Sequence, residues 1–107
     1  MPKESTIQAK IIKYINGLPC CKAYPIVVSL GMQQGTPDIF ACIAGRFVGI
    51  EAKRPGGKKP SEIQKEQHRQ IEAAGGIVFV GNDLQEIEIL DKTILRMRTG
   101  FVCNNKA

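Results

Sequence analysis

The feature that most constrains the fold of this chain is a pair of short apolar runs around a glycine turn. The runs cover Ile39–Ile43 and residues 47–50, with Ala44-Gly45 between them. Two such runs predict a β-hairpin. A two-residue turn pairs Ile43 with Arg46. Ala-Gly is not the preferred dipeptide for such a turn, and a three-residue loop would shift the pairing by one residue.

The two-residue register has a chemical consequence at the open end of the hairpin. It places Asp38 directly opposite Glu51 on the neighbouring strand. Side-chain alternation also returns Lys53 to the face that carries Glu51, while Ala52 points to the other face. The hairpin therefore predicts two carboxylates and one lysine in a single patch.

Opposed carboxylates repel each other across roughly 5 Å between their Cβ atoms. A hard cation such as Mg²⁺ would offset this cost, since it is usually held by carboxylates together with water and phosphate oxygens. Such an ion lowers the pKa of a water molecule and acts as a Lewis acid, and Lys53 can orient that water or offset charge in the transition state. The Ala52 carbonyl can add a ligand. The pattern therefore favours phosphodiester hydrolysis.

Each of these residues also has a purely structural interpretation. The sequence Thr36-Pro37-Asp38 is typical of a turn in which the aspartate bonds to the local backbone. Glu51 can be an exposed strand residue, and Lys53 can be a cation at the end of a strand. The functional interpretation depends on the three side chains occurring together.

Length and charge limit the class of protein. A chain of 107 residues supports one domain, and fifteen Lys and Arg against ten Asp and Glu give a net charge of +5. That balance favours a polyanionic partner. No apolar stretch approaches about 18 residues, and the start of the chain lacks a signal-peptide pattern. We expect a soluble cytoplasmic protein that does not bind membranes.

The cysteines indicate no zinc site. They lie at positions 20, 21, 42 and 103 without C-x-x-C spacing, and the chain has one histidine. A reducing compartment fits this pattern better than an oxidising one. We expect Cys42 to be a small buried side chain and the adjacent Cys20 and Cys21 to be structural.

The periodicity of the remaining chain predicts three helices and two further strands. In chain order these are a helix at 4–15, a strand at 24–30, a helix at 61–74, a strand at 77–80 and a helix at 84–95. The first helix has an apolar stripe at Ile7, Ile11, Ile12 and Ile15. A strand that follows a helix suggests a crossover back onto the sheet.

The predicted helix at 61–74 follows a basic loop at 54–60 that is rich in glycine and proline. Ser61 can cap it, and Gly75-Gly76 end it. Its predicted apolar stripe consists of Ile63, Gln67, Ile71 and Ala74.

The pattern Pro37-Asp38 followed by Glu51-Ala52-Lys53 resembles the PD-(D/E)XK nuclease superfamily. The wider context resembles its virus-type replication-repair branch, the VRR-Nuc domains, over about residues 4–90. That context consists of the opening Glu4-Ser-Thr-Ile-Gln, Gly35-Thr36 before the motif, Gln64, Ile71, and Gly75-Gly76 ahead of the strand at 77–80. The resemblance implies an α/β fold with a restriction-endonuclease-like core, in which helices flank a mixed central β-sheet. It also implies a single domain over 1–107, with a C-terminal helix and tail at 91–107.

The resemblance also implies roles for particular residues. Asp38, Glu51 and the Ala52 carbonyl would bind Mg²⁺ or Mn²⁺, and Lys53 would be catalytic. Glu4, as a further metal ligand, and Gln64, as a further catalytic residue, would lie beside them. Glu4 can instead favour a helix N-terminus through the helix dipole. Two other glutamines of the same helix, Gln67 and Gln70, compete with Gln64 for its role.

Basic residues flank the expected site and provide candidate DNA contacts at Arg54, Lys58, Lys59, Lys65 and Arg69, with His68 among them. The alternative is a solvated charged face. This stretch has no aromatic residues interleaved in it, so we expect recognition of backbone and shape. The resemblance implies a structure-selective endonuclease on branched DNA, with four-way junctions the leading substrate and a homodimer the expected form. The alternatives are a non-catalytic nucleic-acid-binding module and a nuclease subunit of a larger replication or repair complex.

Overall fold

The predicted hairpin lies at the centre of a four-stranded sheet. The computed structural model describes residues 4–26, 34–52, 60–81 and 84–103, and of residues 4, 5, 84–88 and 98 it describes the backbone alone. In chain order the elements within these residues are α1 (Glu4–Asn16), β1 (Cys21–Pro25), β2 (Ile39–Ile43), β3 (Arg46–Ala52), α2 (Glu62–Ala73), β4 (Ile77–Gly81) and α3 (Leu84–Arg98).

The sheet is mixed and has the strand order β1-β2-β3-β4. β1 pairs antiparallel with β2, and β2 pairs antiparallel with β3. β3 and β4 are parallel, and α2 connects them, as the predicted crossover requires. The predicted α/β class with helices around a mixed sheet is confirmed.

The hairpin turn has two residues, so the direct register is the correct one. Ile43 pairs with Arg46, and Ile39 pairs with Ile50 at the other end of the hairpin. Ala44 has φ 51° and Gly45 has φ 80°. Positive φ at both central residues is the signature of a type I′ turn, whose twist matches that of the flanking strands. The tight pairing of β2 and β3 therefore outweighs the conformational cost of an alanine in the left-handed region.

One face of the sheet carries the apolar core beneath α1 and α3. We call it the core face. Three of the four isoleucines predicted for the stripe on α1, namely Ile7, Ile11 and Ile15, are buried, and Ile12 is partly buried. Leu90 and Ile94 of α3 join the same cluster, together with Ala23, Ile39, Ala41, Ile43, Val48, Ile50 and Ala52 of the sheet.

The other face of the sheet is covered by α2, which lies over β3 and β4. We call it the α2 face. Ser61 caps the helix as predicted, but the apolar stripe does not form as predicted, since Ile63 is 49% exposed. The helix instead turns Gln64, His68 and Ile71 towards the sheet. The side of α2 that packs on the sheet is therefore partly polar, because the β3 side chain that it contacts is Glu51.

The predicted strand at 24–30 differs from the observed one. β1 begins three residues earlier, at Cys21, and it ends at Pro25; residues 27–30 lie outside the described part of the chain. Pro25 therefore comes at the end of the strand and not near its start. The position is set by pairing, because β1 runs along β2 from Cys21 opposite Ile43 to Pro25 opposite Ile39.

The structure contradicts the expectation for Cys42 and gives Cys20 a specific structural role. Cys42 is exposed, not buried, because alternation along β2 points it away from the core face. Cys20 forms a disulfide with Cys103, 83 residues away in sequence, with 5.6 Å between the two Cα atoms. Sequence spacing alone could not identify this pair. The bond ties the chain after α3 to the start of β1.

The helices are of moderate length. The last of them extends to Arg98, three residues beyond its predicted end. Among the helices of the described residues, none combines the length and the apolar character that crossing a bilayer requires.

Candidate active site

Asp38 lies where the pairing of β2 with β3 ends. Its carboxylate Oδ2 accepts a hydrogen bond from the backbone N–H of Ala52 at 3.0 Å, and its carbonyl accepts one from the N–H of Ile26 at 2.7 Å. The register that pairs Ile39 with Ile50 continues to place Asp38 opposite Glu51. Because alternation turns both side chains away from the core face, the two carboxylates belong to the same end of the α2 face.

The loop before Asp38 is held between the sheet and α2. Pro37 is fully buried, and its ring fills the space beside Gly49, where a Cβ would come within 2.9 Å of the proline Cγ. Gly35 has φ 82°, and a Cβ there would lie 2.7 Å from the carbonyl oxygen of Ile63. Both glycines permit close approaches that another residue would block. The turn chemistry of this segment therefore anchors Asp38 in position.

Glu51 is the buried acid of the site, with 2% of its surface exposed. Its Oε2 accepts a hydrogen bond from Nε2 of Gln64 at 3.0 Å, and its Oε1 lies 3.6 Å from Nε2 of His68. Burying a carboxylate costs free energy unless hydrogen bonds and positive charge compensate for it. An acid kept in such a position is more typical of a functional site than of an exposed strand residue.

Gln64 is oriented from both sides. Its Oε1 accepts from the backbone N–H of Ser61 at 2.8 Å, and its own N–H donates to the Ser61 hydroxyl at 3.2 Å, so the two residues form a capping box. With the amide oxygen so used, the amide nitrogen points at Glu51. Among the competing glutamines, Gln64 is the one that contacts the carboxylate, while the amide of Gln70 donates to Glu66.

His68 is a residue whose position sequence reasoning missed. It lies one turn after Gln64 and is buried against Glu51. We expected it to belong to a basic stretch that contacts phosphates. The spacing of four residues from Gln64 was the available signal, because residues at that spacing share one helix face.

Lys65 and Arg69, two of the expected DNA contacts, lie on the exposed side of α2 with acidic partners. Lys65 Nζ is 3.4 Å from Glu62 Oε1, and Arg69 pairs with Glu66. Hydrogen bonds from Gln70 and from Arg69 hold the pKa of Glu66 below its usual value. Such surface pairs contribute little free energy, so both cations can exchange a carboxylate for a phosphate.

Several predicted site residues lie outside the part of the chain that the structure describes. Lys53, Arg54, Lys58 and Lys59 lie in the range 53–59, outside the described residues, and the side chain of Glu4 is likewise not described. Ala52 is described. Its side chain is buried in the core cluster, as alternation predicted, while its N–H binds Asp38.

The donor atoms of this site suit a hard divalent ion. Within the described ranges there is no group of three or more His, Cys, Asp or Glu side chains that could hold a metal. Asp38 and Glu51, with the Ala52 carbonyl, provide oxygen ligands only. Mg²⁺ is commonly bound through one or two carboxylates, with water and phosphate oxygens completing its shell, so the residues fit Mg²⁺ or Mn²⁺.

The structure resembles a solved structure described as "VRR_NUC domain protein", with a TM-score of 0.73, 16% sequence identity and coverage of 91% of each chain. No protein-family model and no curated protein matches the sequence. The likeness therefore shows the fold, and it is the fold that the motif resemblance implies.

Proposed function

We propose that this protein is a metal-dependent endonuclease that cleaves DNA. The observation that carries the proposal is that Asp38, bonded to the N–H of Ala52, and the buried Glu51 lie at the same end of the sheet, with Gln64 and His68 against the glutamate. The likeness to a nuclease-type fold supports it. So does the net charge of +5, which suits a polyanionic substrate.

Each residue has a distinct role in this proposal. Asp38, Glu51 and the Ala52 carbonyl would hold a divalent ion, which when bound would supply positive charge to the scissile phosphate and acidify a water molecule. Lys53, two residues after Glu51 in the sequence, would orient the attacking water or offset charge in the transition state. Gln64 and His68 fix the carboxylate of Glu51.

The test of activity is cleavage of labelled DNA by the purified chain with Mg²⁺, with Mn²⁺ and with EDTA. Asp38→Asn is the informative variant, because an asparagine oxygen still accepts the Ala52 hydrogen bond while the charge is lost. Glu72→Gln, an exposed carboxylate on α2, is the matched control. We expect metal-dependent cutting that Asp38→Asn abolishes and the control retains. Binding without cutting would favour the non-catalytic module.

We further propose branched DNA, with four-way junctions first, as the substrate, and a homodimer as the active form. This finer proposal is supported by the family resemblance alone; a two-fold dimer would offer two sites to two strands of a branched substrate. A panel of single strands, duplexes, flaps and junctions at several protein concentrations tests it. A steep dependence of junction cleavage on protein concentration is expected. Activity only after addition of a larger partner would indicate a subunit of a complex.

A further inference from the structure

Within the described residues, α2 covers only part of the α2 face of the sheet. α2 packs on β4 and on Gly49 and Glu51 of β3, while the same face of β1, of β2 and of the start of β3 carries side chains in contact with solvent. Tyr24 is 57% exposed and Phe47 is 44% exposed. Lys22, on the same strand as Tyr24, is also exposed, and Phe40, on the strand between those of Tyr24 and Phe47, is partly buried. We call these four residues the open aromatic surface.

The strand register makes these side chains neighbours. Tyr24 lies directly opposite Phe40 on the next strand, and both point away from the core face. The ring centroids of Phe40 and Phe47 are 5.0 Å apart and tilted by 58°. Three aromatic side chains from three neighbouring strands therefore lie side by side on one surface.

The open aromatic surface is continuous with the candidate active site. Phe40 is two residues from Asp38 on the same side of the chain, so the rings begin one row from the carboxylates. Lys22 places its Nζ 5.3 Å from the centre of the Tyr24 ring. A nucleotide stacked on that ring would have its phosphate within reach of a positive charge.

Exposed apolar side chains are ordinary when they are scattered, but a contiguous cluster next to a polar site marks a binding surface. Aromatic rings beside a lysine match the chemistry of an unpaired nucleotide strand, since bases stack on rings and phosphates bind cations. A continuous duplex cannot use such rings, because its bases already stack on each other. Unpaired bases are free to stack on these rings.

We propose that the open aromatic surface binds unpaired nucleotides of the DNA substrate by stacking and so presents the adjoining strand to Asp38 and Glu51. This inference rests on the proposed function and narrows it. The substrate class is DNA with an unpaired segment beside the scissile bond, such as a flap or an opened branch.

The experiment measures binding by fluorescence anisotropy in EDTA, so that no cleavage occurs. The probes are a labelled thymidine oligomer of about 12 nucleotides and a hairpin duplex of the same strand length. Tyr24→Ala is expected to weaken binding of the single strand on the order of ten-fold, since loss of one stacked base has that effect, and to change duplex binding much less. Tyr24→Phe keeps the ring and should bind within about two-fold of the unaltered protein. Leu95→Ala removes an equally exposed side chain from α3, beyond the core face, and should change neither probe.

A second readout does not depend on truncating Tyr24. The chain has two tyrosines and no tryptophan, so Tyr14→Phe leaves Tyr24 as the sole tyrosine fluorophore. Stacked bases should quench its emission as the oligomer is added, and the duplex should not. Far-UV circular dichroism verifies that each variant is folded.

Three outcomes would overturn the inference. One is equal binding of the single strand by the Tyr24→Ala and unaltered proteins, and another is an equal loss on both probes. The third is conversion of a dimer to a monomer by Tyr24→Ala in sedimentation, which would make this surface a contact between two copies of the chain. Metal-dependent cleavage by the unaltered protein tests the proposed function separately, so either idea can fail alone.

Discussion

The two faces of the sheet differ in the kinds of side chain that they bury and expose. The core face is closed by α1 and α3 over a cluster of isoleucine, leucine, valine and alanine side chains. The α2 face buries a carboxylate beneath α2 and leaves aromatic rings exposed to solvent beside it. Hydrophobic burial accounts for most of the described side chains of the first face and for few of those of the second, so we expect function on the second face.

Two consecutive residues of β3 show the contrast most directly. Ile50 is fully buried in the core cluster, and Glu51 is almost equally buried on the opposite face. The same degree of burial stabilises the protein in one case and costs free energy in the other. Substitutions at these two positions should therefore separate stability from activity.

The largest effect should come from Glu51→Gln. The change keeps the shape of the side chain but removes its charge, so metal-dependent cleavage should fall by more than about 100-fold. The free energy of unfolding should stay the same or rise, because a neutral amide is cheaper to bury. Initial cleavage rates and urea unfolding curves measure the two quantities. Retained cleavage would remove Glu51 from the site.

Ile50→Ala should have the opposite profile. Deleting a fully buried isoleucine side chain costs about 2–5 kcal/mol of unfolding free energy, since it removes apolar burial and leaves a cavity. Urea unfolding measures this loss, and the cleavage rate per folded molecule at low temperature should remain close to that of the unaltered protein. A variant of full stability would contradict the division between the two faces.

Gln64 provides a finer test, because it supports both the helix and the site. Gln64→Ala removes the capping box and the bond to Glu51, and it should cost about 1 kcal/mol of stability as well as 10- to 100-fold in activity. Gln64→Glu keeps an acceptor for Ser61 but places a second carboxylate against Glu51. Helix content by circular dichroism should therefore survive in the glutamate variant while cleavage falls. Equal activity in all three proteins would limit Gln64 to capping.

The smallest expected effect is on the pH dependence of stability. Beside the core, Tyr14 of α1 donates a hydrogen bond to Asp91 of α3. Burial, followed by the hydrogen bond to Asp91 and the charge of that residue, raises the pKa of Tyr14 from 10.0 to about 12. Because the folded state holds the proton more tightly, this contribution to stability is fully present below pH 10 and is lost as the pH rises towards 12.

The difference in tyrosinate absorbance between the unaltered protein and Tyr14→Phe gives the titration of Tyr14 alone. Urea unfolding at pH 9 and 11 (about one pH unit on either side of the ordinary tyrosine pKa) should show a fall in stability that Tyr14→Phe reduces. If the fall is the same in both proteins, Tyr14 does not couple α1 to α3 in this way.

The parts of the fold that depend on local sequence pattern are those that the sequence predicts correctly. The isoleucines of α1, the Ser61 cap and the two strands around Gly45 are all short-range signals, and each is observed. β1 was placed three residues late, because the pairing partner and not the composition fixes where an edge strand begins. The apolar stripe predicted for α2 is wrong at Ile63 for a similar reason, since the helix packs on Glu51, a residue of another element.

The sequence by itself determined that a hairpin carries Asp38 and Glu51 near its open end, because apolar strand runs and a glycine turn are local signals. It left open whether the turn has two residues or three, and the observed two-residue turn places Asp38 opposite Glu51. The tertiary structure alone decided that His68 packs on Glu51, that Cys20 meets Cys103, and that the rings of Tyr24, Phe40 and Phe47 form one surface. The physical reason is range. Periodicity acts between near neighbours in the chain, whereas contacts between distant segments depend on how whole elements pair and pack.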